Sequence, residues 1–178
     1  MKIENNMSVS KRNVYVRIID VKEKSDKQIS KKSYEEVKRL ATDIFGSYDW
    51  RIEKDDKGKP FFLKSNYNLS ISHTDNLIVV AVSKNRKIGI DVEKIHLFNQ
   101  KIIDKYYSEK ERAEIHKHIG YEAFIETKIW TIKEAYSKCI GTGLTKEVLF
   151  SDTTCYEDYL YLSICYSYYM ISLCISKE

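Results

Sequence analysis

The stretch Lys87-Ile88-Gly89-Ile90-Asp91-Val92-Glu93-Lys94 decides how the chain is read. Its apolar and polar residues alternate with the period of a strand, so Ile90 and Val92 turn toward a core. Asp91 and Glu93 then stand side by side on the opposite face. Two carboxylates at that spacing repel each other unless a cation or a proton intervenes. A hard divalent ion such as Mg²⁺, which takes oxygen ligands, resolves the repulsion. A solvated strand face, with Lys87 and Lys94 damping the charge, resolves it equally well. The pair alone does not choose between these.

Upstream, Asn13 to Asp20 alternates as another strand with one buried face. Helical spacing takes over near Ser33, with Tyr34, Val37, Leu40, Ala41 and Ile44 on one stripe and Gly46 as the stop. Lys54 to Lys59 reads as a turn. Asn66–Ser72 and Leu77–Ser83 read as two strands joined by His73-Thr74-Asp75-Asn76. Downstream, helices are predicted over Tyr107–His118 and Glu122–Ile140, the second ended by Gly141-Thr142-Gly143, and strands over Asp158–Tyr166 and Tyr169–Ser176. Each half thus reads as a strand, a helical section and a strand pair. The fold class expected is α+β, with two similar halves, 1–85 and 86–178, packed face to face.

The 178 residues are 43% hydrophobic and 31% charged, with one Pro and six Gly, a balance that excludes disorder and collagen-like repetition. Lys plus Arg number 30 against 26 Asp plus Glu, a surplus of +4 that does not describe a dedicated nucleic-acid binder. No apolar run reaches the roughly 18 residues of a membrane span, and the first thirty residues lack the pattern of a secretory leader. The four cysteines include no CxxC pair, so neither a disulfide framework nor a zinc site is expected. A cytoplasmic chain is the expectation.

Three further groups can carry chemistry. Trp130, Glu134 and Lys138 fall at successive i, i+4 positions of one helix, where a carboxylate one turn from an ammonium can hold a metal and a phosphate together. An exposed Glu–Lys pair beside a core Trp accounts for the same spacing. Ser108 and Glu111 form a capping box at a helix start, which explains both without catalysis. Ser72-His73 and Gly58-Lys59-Pro60 lie where turn chemistry is also a sufficient reading.

Taken in order, these pieces resemble the 4′-phosphopantetheinyl transferase superfamily. The series runs Gly58-Lys59-Pro60, Ser70-Ile71-Ser72-His73-Thr74, Gly89 to Glu93, Tyr107 to Glu111, Trp130 to Lys138 and Gly141-Thr142-Gly143-Leu144. It is most similar to the single-chain, pseudo-dimeric type, which carries the Gly-Lys-Pro and Ser-His elements in its first half. The resemblance implies transfer of the phosphopantetheine arm of coenzyme A to a serine of an apo acyl or peptidyl carrier protein, with release of 3′,5′-ADP. It implies Asp91, Glu93 and Glu134 as magnesium ligands and Lys138 on the diphosphate. Ser72-His73 would meet a coenzyme A phosphate, Lys59 and Pro60 would flank the adenine nucleotide, and Lys32, with Lys31 beside it, would be the nearest counterpart of the arginine that binds the 3′-phosphate in the family. Glu111, Glu134 and Lys138 become the catalytic candidates, with Glu111 a candidate base for the serine hydroxyl. A monomer with its cofactor cleft between the halves is expected. A non-catalytic module that binds coenzyme A or a carrier protein, and a metal-dependent hydrolase of nucleotide diphosphates, are the competing readings.

Overall fold

The computed structural model describes residues 4–9, 13–22, 25–74 and 76–177. The first half runs β1 (Glu4–Val9), β2 (Val14–Asp20), α1 (Asp26–Phe45), β3 (Ile52–Lys54), β4 (Pro60–Phe62), β5 (Asn68–His73) and β6 (Leu77–Ser83). The second runs β7 (Ile88–Lys94), α2 (Gln100–Tyr106), α3 (Glu109–Lys117), α4 (Glu122–Ile140) and α5 (Lys146–Phe150). A 3-10 turn (Thr153–Cys155) and the hairpin β8 (Tyr159–Tyr166), β9 (Tyr169–Ser176) complete it. The sheets are antiparallel, in the orders β1-β2-β6-β5 and β7-β9-β8, and β3 with β4 forms a separate hairpin. In both halves the leading strand pairs with the last strand of the hairpin, so β2-β6-β5 and β7-β9-β8 repeat one topology. The α+β fold of two similar halves is present.

Side-chain alternation stacks the layers. Val14, Val16 and Ile18 of β2 and Leu77, Val79 and Ala81 of β6 meet Ile88, Ile90 and Val92 of β7 and Ile171, Leu173 and Ile175 of β9 between the sheets. The other face of β6, with Ile78, Val80 and Val82, packs on Ile29, Val37, Leu40 and Ala41 of α1. All seven residues of β6 are buried, which explains its unbroken apolar run. Since Ile88, Ile90 and Val92 face the sheet-on-sheet core, Gly89, Asp91 and Glu93 face α4.

Gly89 sets how close α4 comes. A methyl group built there would lie 1.9 Å from the carbonyl oxygen of Ala135 and 2.4 Å from the amide nitrogen of Cys139. Both are backbone atoms, so only glycine permits this helix-to-strand distance. At its far end α4 stops on Gly141, whose φ of 76° is left-handed.

Several boundaries differ from the expectation. α1 begins two turns earlier, because Ser25 caps it by accepting from the Gln28 amide and Ile29 already joins the buried stripe. The turn at Lys54–Lys59 joins strands too short to show a period, and α2 and α5 were not anticipated. The predicted connection His73–Asn76 includes Asp75, which lies outside the described residues.

Candidate active site

β5, an edge strand of the first sheet, runs beside β7, an edge strand of the second, and the site forms at this seam. Ile90 on β7 has no strand neighbour for its amide, and Ser70 Oγ accepts it at 2.9 Å. Two residues on, Ser72 Oγ donates to Asp91 Oδ1 at 2.8 Å. Lys138, on the last turn of α4, donates from Nζ to Asp91 Oδ1 at 2.7 Å and to Ser72 Oγ at 2.9 Å. Three elements that are distant in sequence are thereby tied at one carboxylate. The second oxygen of Asp91, Oδ2, is buried without a hydrogen-bond partner.

Ser72, Asp91 and Lys138 line a cavity of about 390 Å³ that also receives Glu93, Glu134, His73, Lys54 and Pro60, with Ser30, Ser33 and Tyr34 of α1 on its wall. Burial lifts the Glu134 carboxyl to about 7, helped by the charge of Asp91 and Glu93 and opposed by Lys138 and a hydrogen bond from Trp130. Burial and then Asp91 also push Glu93 up. His73 is pulled down, by burial and then by Lys138. An adjoining cleft of about 280 Å³ holds Lys59, Pro60, Lys138 and the glycines Gly58, Gly141 and Gly143. There Lys59 Nζ donates to the carbonyl of Cys139 at 3.0 Å, a cation at the negative end of α4.

The structure thus brings Ser72, His73, Asp91, Glu93, Glu134 and Lys138 together, with Lys59 and Pro60 at the adjoining cleft. Two candidates lie elsewhere. Lys32 sits on α1, half-buried, and is not among the residues lining either cavity. Glu111 is buried and its oxygens are committed: Oε2 accepts the Ser108 amide and pairs with Lys133 Nζ at 2.9 Å, and Oε1 accepts the Thr153 amide. The capping box read from the sequence is present.

Lys133 and Ser70 are contributions that the sequence did not disclose. Lys133, with 0% of its side chain exposed, also donates to the carbonyls of Tyr106, Leu149 and Ser151. It clamps the ends of α2 and α5 and the start of α3 onto α4, one residue from Glu134. No spacing signals this, because a lysine in a polar stretch reads as solvated.

Among the described residues no group of three or more His, Cys, Asp or Glu side chains is placed to hold a metal ion. The donor set nevertheless suits a hard cation. Asp91 Oδ2 is a buried oxygen without a partner, and two further carboxylates, half-buried, act electrostatically with it.

A two-half α+β chain that concentrates acidic and basic groups at its seam is one class of protein; the comparisons narrow it. Residues 87–161 match the model of the 4′-phosphopantetheinyl transferase superfamily. The 4′-phosphopantetheinyl transferase gsp of Aneurinibacillus migulanus is 29% identical over 147 residues, which are 80% of this chain and 59% of that protein. A holo-[acyl-carrier-protein] synthase of Staphylococcus epidermidis is 40% identical over 80 residues, 41% of this chain and 68% of that protein. The 4′-phosphopantetheinyl transferase HetI of Nostoc is 30% identical over 104 residues, covering 54% and 44%. The chain belongs to the 4′-phosphopantetheinyl transferase superfamily, and it spans about three fifths of the length of the gsp protein. Among the described residues no helix is long and apolar enough to cross a membrane.

Proposed function

We propose that the chain transfers the 4′-phosphopantetheine arm of coenzyme A to a serine of an apo acyl or peptidyl carrier protein. The serine oxygen bonds to the phosphorus that carries pantetheine, 3′,5′-ADP departs, and the serine proton is lost. The reading extends to the single-chain, pseudo-dimeric type, with halves 1–85 and 86–178 and a cytoplasmic monomer as the working unit. Its main support is one observation: Asp91, Glu93, Glu134 and Lys138 of the second half share a cavity with Ser72 and His73 of the first.

Asp91, Glu93 and Glu134 are the residues that would hold Mg²⁺, with Asp91 Oδ2 the oxygen still without a partner. When bound, the ion supplies Lewis-acid stabilisation of the diphosphate oxygens. Lys138 brings an ammonium to the developing negative charge, from a helix already packed against Asp91. Ser72 fixes the Asp91 carboxylate and His73 presents an imidazole to a coenzyme A phosphate. Lys59 and Pro60 form the wall for the nucleotide, and Lys32 on α1, which lines neither cavity, is given no contact with it. The serine proton passes to a carboxylate of this cavity, since both oxygens of Glu111 are engaged. Glu111 acts through Lys133, holding α3 against the helix that carries Glu134.

The test is to incubate the protein with coenzyme A, Mg²⁺ and several apo carrier proteins and to follow intact masses. Carrier gaining one phosphopantetheine, with loss of the gain in EDTA, is expected. Cleavage of coenzyme A without a carrier would make the protein a hydrolase, and neither product would leave a binding module.

A further inference from the structure

Lys138 is seated on one oxygen of Asp91, beside the oxygen of the same carboxylate that has no partner. Its Nζ lies 2.7 Å from Asp91 Oδ1, and the two side chains are 30% and 3% exposed. Asp91 is fixed by a strand and by the Ser72 hydroxyl, whereas Lys138 stands on a four-carbon stem at the border of both cavities. The mobile member of the pair is therefore the lysine. Glu134, one turn back on α4, and Glu93, on the strand, place two more carboxylates within its field. Of the other basic groups near the seam, Lys59 is tied to the Cys139 carbonyl and His73 is pushed toward its neutral form. Lys54 also lines the cavity and His96 acts on Glu93, but the cation seated directly on Asp91 is Lys138.

We propose that Lys138 is a resident counter-ion that competes with the divalent cation for Asp91, and that the diphosphate of coenzyme A draws it away. This rests on the function proposed above, which supplies the anion. A cation arriving alone meets an ammonium already seated on its buried ligand. An anion entering the cleft offers Lys138 a stronger partner, and its departure leaves the Asp91 carboxylate to the metal. Metal and coenzyme A then assist each other beyond any direct bond between them. By linkage the assistance is the same in either order of addition.

The experiment is a titration of the full chain with Mg²⁺ by calorimetry, and with Mn²⁺ by electron paramagnetic resonance, in the absence of coenzyme A. Lys138→Met and Lys138→Gln should bind either ion more tightly than the wild type, by about tenfold, within the usual range of coupling between ligands. Lys138→Arg should bind as the wild type does. The same neutral variants should bind coenzyme A more weakly in EDTA. Melting curves establish folding, and either neutral variant suffices. Equal or weaker metal binding by the folded neutral variants overturns the counter-ion role, even where the wild type modifies carrier protein normally. A wild type that binds no metal and modifies no carrier overturns both this role and the function on which it rests.

Discussion

Replacing Gly89 with alanine isolates the geometry on which the cleft depends. The new methyl would lie 1.9 Å from the Ala135 carbonyl oxygen, where ordinary contact begins at 3.4 Å, so α4 must retreat by about 1.5 Å. Neither obstructing group can rotate aside, because both belong to the helix backbone. Overpacking of this kind costs about 1–3 kcal/mol or more. For a chain of this length that lowers the melting temperature by roughly 2–4 °C per kcal/mol. The retreat also carries Glu134 and Lys138 away from Asp91, and a misplacement of about 1 Å can cost roughly 100-fold in rate. The assay pairs a thermal melt with carrier modification followed by intact mass. A Gly89→Ala protein that melts within about 2 °C of the wild type and modifies carrier at the normal rate would refute the close-approach argument.

Three more outcomes are expected. Lys133→Met strands the buried Glu111 carboxylate and three carbonyls, and should destabilise by about 3–5 kcal/mol; chemical denaturation should show that adding Glu111→Gln restores part of the loss. Ser70→Ala leaves the Ile90 amide without its acceptor, which should cost about 1–3 kcal/mol and accelerate hydrogen exchange at that amide. In metal-free buffer the melting temperature of the wild type, measured relative to Glu134→Gln, should rise as pH falls from 8 toward 5, the opposing titration of the lowered His73 cancelling in the comparison. Glu134, raised to about 7 when folded, then takes up a proton that the unfolded chain binds only at lower pH. The gain should reach at most about 3 kcal/mol and shrink in saturating Mg²⁺; a relative melting temperature that rises with pH would contradict it.

The central strands and α4 were legible because their sequence patterns are long, although β7 is buried on both faces from Ile88 to Val92 and α4 also buries Glu126 and Lys133. β7 alternates cleanly, and the apolar run of β6 is what a strand covered on both faces must show. The start of α1 escaped because its first turns carry polar residues and a single apolar anchor, Ile29. At the site, Asp91 and Glu93 share a face by strand period alone, and Glu134 and Lys138 by helix period. That the seam joins these two pairs, with Ser70 and Ser72 bridging it, is a tertiary fact with no local signal. Lys133 shows the same limit, since an inward-facing lysine and a solvated one are spelled alike.

The repeated topology hides an inversion. In the two seven-residue leading strands, Tyr15 stands at the position of Gly89 and Arg17 at that of Asp91. The tyrosine ring packs edge-on against Phe45, so α1 has no counterpart of the intimate approach of α4. Arg17 pairs with Asp43 at 2.6 Å: the strand supplies the cation and the helix the anion, the reverse of Asp91 and Lys138. The twin architecture consequently furnishes a single acidic receptacle, and a titration should saturate at one nucleotide per polypeptide.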